Sequence, residues 1–104
     1  MGGKSRAIQI ETRTFIKHGD AVIFFREMLK RYSNGERVSD ADALDLKALM
    51  SRHDEQSEKE GSGISHFYVD VGPEGFTRCF WIARTDNSNI DISFMHCLKK
   101  KPYD

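Results

Sequence analysis

Several features that commonly announce a function are scarce in this chain of 104 residues. It has two cysteines, two prolines and one tryptophan, and its sixteen Lys and Arg are balanced by sixteen Asp and Glu. Cys79 and Cys97 lie too far apart for a Cys-x-x-Cys zinc pair and offer no disulfide framework, so both are expected as buried, reduced packing residues. Zero net charge removes any general attraction to polyanions; nucleic-acid binding would need a local basic patch. No apolar run approaches the length of a membrane span. The opening Met1-Gly2-Gly3-Lys4-Ser5-Arg6 lacks the apolar centre of a signal peptide, and Arg6 breaks the myristoylation pattern. A cytoplasmic protein is the expectation. There is no phosphate loop, dinucleotide fingerprint, Gly-x-Ser-x-Gly or metalloprotease helix. These absences lead us to expect a non-enzymatic, monomeric protein with no cofactor, metal or membrane partner.

What is present suffices for one domain with one core. Residues 1–7 read as a flexible tail, 8–98 as the domain and 99–104 as a basic tail. Charge is unevenly spread: +4 over residues 1–37, −6 over 38–75 and +2 over 76–104.

From Ile8 to Ile16 the side chains alternate, with Ile8, Ile10, Thr12, Thr14 and Ile16 on one side, which predicts a half-buried strand broken in pattern only by Phe15. Asp20 is placed to cap a helix over Ala21–Asn34, where Val22, Phe25, Met28, Leu29 and Tyr32 recur at helical spacing and Gly35 is suited to end it. Ser39 with Asp42 opens a second helix as a variant capping box, and Leu46, Leu49, Met50 and His53 form its apolar stripe. Asp54–Gly63 reads as a mobile loop. Within it, Gly61-Ser62-Gly63 is too short to cradle a phosphate and serves as a hinge, with Gly63 structural. Ile64–Val71 is a strand, Gly72-Pro73-Glu74-Gly75 a turn, and Phe76–Leu98 a hairpin. The order β-α-α-β-β-β predicts an α+β domain, an antiparallel sheet with two helices packed on one face.

If Asn87–Ser88 centre the hairpin turn, paired residue numbers sum to 175. Arg84 then faces Asp91 as a structural cross-strand ion pair, and His96 lies opposite Cys79. Ser93 could instead cap a short helical turn over Phe94–Leu98. The candidate nucleic-acid surface is Arg78, Phe80, Arg84, Tyr68 and His66 on the helix-free side, aided by Lys99 and Lys100. Core packing competes with stacking for those aromatics. The rival readings are an interaction module using the acidic helix and loop 40–60, and an enzyme with a cysteine nucleophile.

One combination of residues resembles a known family. His53-Asp54, Lys59-Glu60-Gly61-Ser62-Gly63-Ile64, Val69, Pro73, Arg78-Cys79-Phe80, Arg84-Thr85-Asp86, Asp91-Ile92-Ser93-Phe94 and Cys97-Leu98 resemble the defective-chloroplasts-and-leaves (DCL) domain. That domain occurs in plant plastid proteins, in the largest subunits of plant-specific RNA polymerases, and as small bacterial proteins, of which this chain would be one. The family usually has Asp-Gly where Asp86-Asn87 stands, Phe at Ile92, and Arg-Lys at Met95-His96. The resemblance implies association with RNA or with an RNA-associated partner in ribosomal RNA processing or transcription. It implies no enzymatic activity.

Overall fold

The structure is a computed structural model that describes residues 6–104; most of the N-terminal tail therefore lies outside the described residues. The first predicted strand is two: β1 (Ile8–Ile10) and β2 (Arg13–Phe15) form a small antiparallel hairpin in which Ile8 faces Phe15. The turn at Glu11-Thr12 reverses the chain, so Phe15 is buried with Ile8 and Ile10, while Ile16 is 79% exposed. The alternation of Ile8–Ile16 was continued through a reversal that periodicity cannot detect.

Helix α1 (His18–Lys30) begins and ends earlier than predicted, and Asp20 sits in its first turn instead of capping it. Ala21, Phe25 and Met28 are its buried stripe. Gly35 has another use: at φ 83° it turns the chain beside the sheet, donating its N–H to Val69 O at 2.6 Å. Helix α2 (Asp40–Met50) starts at Ser39, whose hydroxyl accepts the Asp42 N–H at 3.1 Å. The reciprocal arm of the capping box comes from Tyr32, whose phenol oxygen accepts the Ser39 N–H at 2.9 Å and donates to Asp42 at 2.5 Å. Leu46, Leu49, Met50 and His53 are all buried as their spacing predicted.

The expected mobile loop contains a short helix, α3 (Gln56–Glu60), held by Arg84. After α3 the chain turns at Gly61, where φ is +53° and a Cβ would lie 2.8 Å from Arg84 Nε. Backbone strain and collision both select glycine there. Strands β3 (Ile64–Val71), β4 (Arg78–Arg84) and β5 (Asn89–Ile92) form an antiparallel meander, followed by a helical turn, α4 (Phe94–Cys97). Ser93 caps it by accepting the His96 N–H at 3.2 Å, as the helical alternative foresaw. The fold is the expected α+β domain. Phe67, Val69, Phe80, Ile82 and Ile92 of the sheet meet Phe25, Met28, Leu46 and Leu49 of the helices in one core.

The register of the final hairpin differs from the prediction. Observed pairs sum to 172: Phe80 faces Ile92, Trp81 faces Asp91, Ile82 faces Ile90. Arg84 and Asp91 are not partners. Asn87 N–H bonds Arg84 O at 3.0 Å and Arg84 N–H bonds Ser88 O at 2.8 Å, enclosing a three-residue loop, Thr85–Asn87. Its last residue, Asn87, has φ 71°, the left-handed position of such loops. Asn pays some steric cost there that Gly avoids, while Gly loses more entropy on folding. Asn87→Gly is therefore expected to change stability by less than about 1 kcal/mol, in the stabilising direction, measurable by urea denaturation.

The residues after Leu98 are tied to the domain and do not form a free tail. Lys101 is buried and its Nζ reaches Asp54 at 2.6 Å; Asp104 is gripped by Arg52 and Arg6. Lys99 and Lys100 are exposed. Among the described residues no helix is long and apolar enough to cross a membrane.

Candidate nucleic-acid interface

The sheet has one face on the core and one free of helices, and pairing decides which side chains occupy the second. Tyr68 pairs with Trp81, Asp70 with Cys79, and Trp81 with Asp91. Beyond β3, Arg37 bridges to Tyr68. Directly paired residues share a face, so one row crosses the whole helix-free surface: Arg37, Tyr68, Trp81, Asp91. The Tyr68 and Trp81 rings are 6.0 Å apart and nearly parallel, at 16°, and His66 lies 6.1 Å from Tyr68. Burial pushes the Tyr68 phenol above its ordinary pKa, with Asp70 adding to the shift. The Trp81 indole N–H is covered and has no partner among the described residues.

Of the seven residues predicted for nucleic acid, the structure brings only Tyr68 and His66 together here. Phe80 is fully buried, facing Val69 and Ile92, with its ring 6.3 Å from Phe94. Arg78 donates to Asn34 Oδ1 at 2.7 Å and to Tyr32 O. It thereby holds the end of α1 to the sheet. Arg84 donates to Lys59 O at 3.0 Å, Glu58 O at 2.9 Å and Ser88 Oγ at 3.2 Å, which accounts for its position as a structural residue. Lys99 and Lys100 stand on the segment beyond α4. Asp91, predicted as the partner of Arg84, does not pair with it; its backbone carbonyl accepts from Lys59 Nζ at 3.1 Å. Gly63, with φ 129°, accepts the Thr85 N–H at 3.0 Å and so joins the start of β3 to the hairpin loop.

Trp81 and Arg37 were missed. The signal for Trp81 lay in the β3–β4 loop. Six residues separate Val71 from Arg78, so paired positions have opposite parity, and Tyr68 must share its face with Trp81 rather than Phe80. Arg37 lies outside every named strand and gave no periodic signal.

The cysteines lack the features of a nucleophile. Burial pushes the Cys79 thiol up to about 11, with Asp91 adding to the shift, and burial pushes Cys97 up to about 12. Thiols in that range are not thiolates near neutrality. His96 is not opposite Cys79; its ring lies 4.5 Å from that of His53. His53 accepts the Glu55 N–H at Nδ1, and burial followed by the nearby His96 lowers its pKa. Among the described residues no group of three or more His, Cys, Asp or Glu side chains is arranged to hold a metal ion.

Comparison with known proteins places this geometry in a family. Residues 26–98 match the model of a family described as "Protein of unknown function (DUF3223)". The chain is 32% identical over 71 residues to "Protein DCL, chloroplastic" of Solanum lycopersicum, covering 66% of this chain and 32% of that protein. With "Protein DCL homolog, chloroplastic" of Arabidopsis thaliana it is 32% identical over 78 residues, covering 70% and 36%. With "Protein EMBRYO DEFECTIVE 514" of the same plant it is 27% identical over 96 residues, covering 91% and 48%. The chain thus spans about a third to a half of the length of these relatives. A solution NMR structure of a protein from the bacterium Rhodospirillum rubrum superposes with a TM-score of 0.80 at 37% identity, covering 91% of this chain and 90% of the other. The chain belongs to the DUF3223 family, whose domain it shares with the DCL proteins.

Proposed function

We propose that the domain is a non-enzymatic module that binds unpaired RNA on the helix-free face of its sheet. The observation that supports this is the row Arg37–Tyr68–Trp81–Asp91. Two aromatic rings offer stacking surface for bases. Arg37, which has no ion-pair partner among the described residues, is suited to a phosphate. Asp91 is an acceptor suited to the amino group of a base, and its charge disfavours long phosphate tracks. Recognition of a few bases fits this row better than binding along a duplex, and the association with RNA that the DCL resemblance implies is carried by the same surface.

The acidic helix and loop have less support as a docking surface. Asp42 is paired with Arg31, Asp45 with Arg13 and Asp54 with Lys101, so much of their charge is already engaged.

Trp81 is the only tryptophan, so its fluorescence reports on the face directly. Titration with an unpaired ten-nucleotide RNA is expected to quench it saturably, and a fully paired RNA duplex is expected to leave it unchanged. Tyr68→Ala should weaken binding about tenfold or more, the equivalent of 1–3 kcal/mol per stacked base. Arg37→Ala should weaken it and flatten its salt dependence by about one phosphate contact. No quenching by unpaired RNA at about 100 µM would overturn the proposal.

A further inference from the structure

Strand β3 is paired with β4 along one edge, but only part of its other edge is covered. Val38 N–H donates to Phe67 O at 3.0 Å, Val69 N–H to Glu36 O at 3.0 Å, and Gly35 N–H to Val69 O. At Ser39 the chain leaves that edge to cap α2. The N–H and C=O of one residue in an antiparallel strand point to the same edge. Phe67 N–H therefore points to this edge beside Val38, the last residue before the chain departs, and it has no acceptor there among the described residues. Beside this edge, between α2 and the start of β3, runs a groove of about 350 Å³. Val38, Ala43, Leu44 and Ile64 supply its apolar lining, and Leu44 is 63% exposed.

Charge narrows the choice of occupant. Arg37 and Lys47 stand at the groove and neither has an ion-pair partner among the described residues; Asp40 is the single acid of the lining. An unpaired N–H on a strand edge selects peptide backbone, the apolar lining selects aliphatic side chains at every second position, and the two cations select acidic neighbours. We infer that this groove binds an extended acidic–aliphatic segment of a partner protein, added as a short strand beside the first half of β3. The bulge at Ser65 limits the length of that strand, so side chains in the groove supply most of the selectivity. The surface is separate from the Tyr68–Trp81 row, sharing only its edge residues Arg37 and His66.

The probe is an acetylated, amidated octapeptide alternating valine and glutamate, titrated against the isotope-labelled full chain and read by amide NMR. Saturable shifts at Ser65, Phe67 and Leu44 are expected, together with slowed hydrogen exchange at the Phe67 amide. Leu44→Glu and Lys47→Glu should each weaken binding about tenfold, whereas Trp81→Ala should leave it unchanged. A valine–lysine octapeptide should bind at least about fivefold more weakly. Absence of saturable shifts up to about 1 mM peptide, equal binding of the two octapeptides, unchanged exchange at Phe67, or shifts centred on Trp81 would each overturn the inference. Both exchanged side chains lie on the exposed side of α2, so loss of binding in a variant with an unchanged spectrum is read as loss of the groove. RNA titration of the same variants is expected to be unaltered, which separates this inference from the proposal for the sheet face.

Discussion

Phe80→Ala is expected to lower the stability of the domain by about 3–5 kcal/mol, the range for deleting a fully buried phenylalanine ring. Phe80 has no exposed surface, sits between Val69 and Ile92 across the sheet, and meets Phe94 edge-on. Small domains have about 5–15 kcal/mol in total, so the variant should unfold at a much lower denaturant concentration. Chemical denaturation followed by circular dichroism measures the difference. A loss below about 1 kcal/mol would place the ring on the surface and restore Phe80 as a stacking residue. The informative partner is Trp81→Ala, one residue along the strand but on the half-exposed face. It is expected to cost much less stability and to act mainly on RNA binding.

The second large effect is expected at Arg52. Its guanidinium is buried, with 3% of the residue exposed. It grips Asp104 with two bonds of 2.8 and 2.6 Å and donates to Cys97 O at 2.8 Å and Lys99 O at 3.2 Å. Removing one partner of such a pair leaves the other desolvated and uncompensated, a cost of about 3–5 kcal/mol. Arg52→Met should lose stability in that range, and Arg52→Lys should recover only part of it because a lysine cannot form the fork. The pair also predicts an acid limb. The Arg52 guanidinium, with help from the Lys101 N–H and Arg6, holds the Asp104 carboxyl well below the usual carboxylate range. A carboxyl depressed in the folded state contributes stability above its unfolded pKa of about 3.9 and loses it as pH falls further. Stability should therefore decline below about pH 4, and Asp104→Asn should remove that part of the slope while lowering stability at neutral pH. An unchanged acid limb in Asp104→Asn would show that other carboxylates set it.

Features encoded over a few residues were legible from the chain alone. The Ser39 and Ser93 caps each need only a hydroxyl three residues before an N–H, and the Leu46–Leu49–Met50–His53 stripe follows from helical spacing. The order of strands and the α+β class followed in turn. Features set by loop geometry were not legible. The three-residue loop ending at Asn87 moved the final hairpin by three positions, and the β3–β4 loop fixed the parity that puts Trp81 rather than Phe80 beside Tyr68. Arg78 and Arg84 resembled ligand residues because a guanidinium that binds phosphate also binds backbone carbonyls. Only three-dimensional placement shows that Tyr32 O, Lys59 O and Glu58 O have taken them. Arg52 and Asp104, 52 positions apart, carry no local pattern at all.

The same Asp104 that accepts from Arg52 also accepts from Arg6 at 3.3 Å, and Arg6 donates in addition to Leu98 O. The polypeptide thus enters and leaves the domain at one point on its surface, immediately before β1 and after α4. Such a unit can be carried inside a longer chain as an insert, because the flanking segments need not be pulled apart to admit it. In a longer chain that carried it, the two flanking segments would emerge side by side at this junction rather than at opposite poles of the domain.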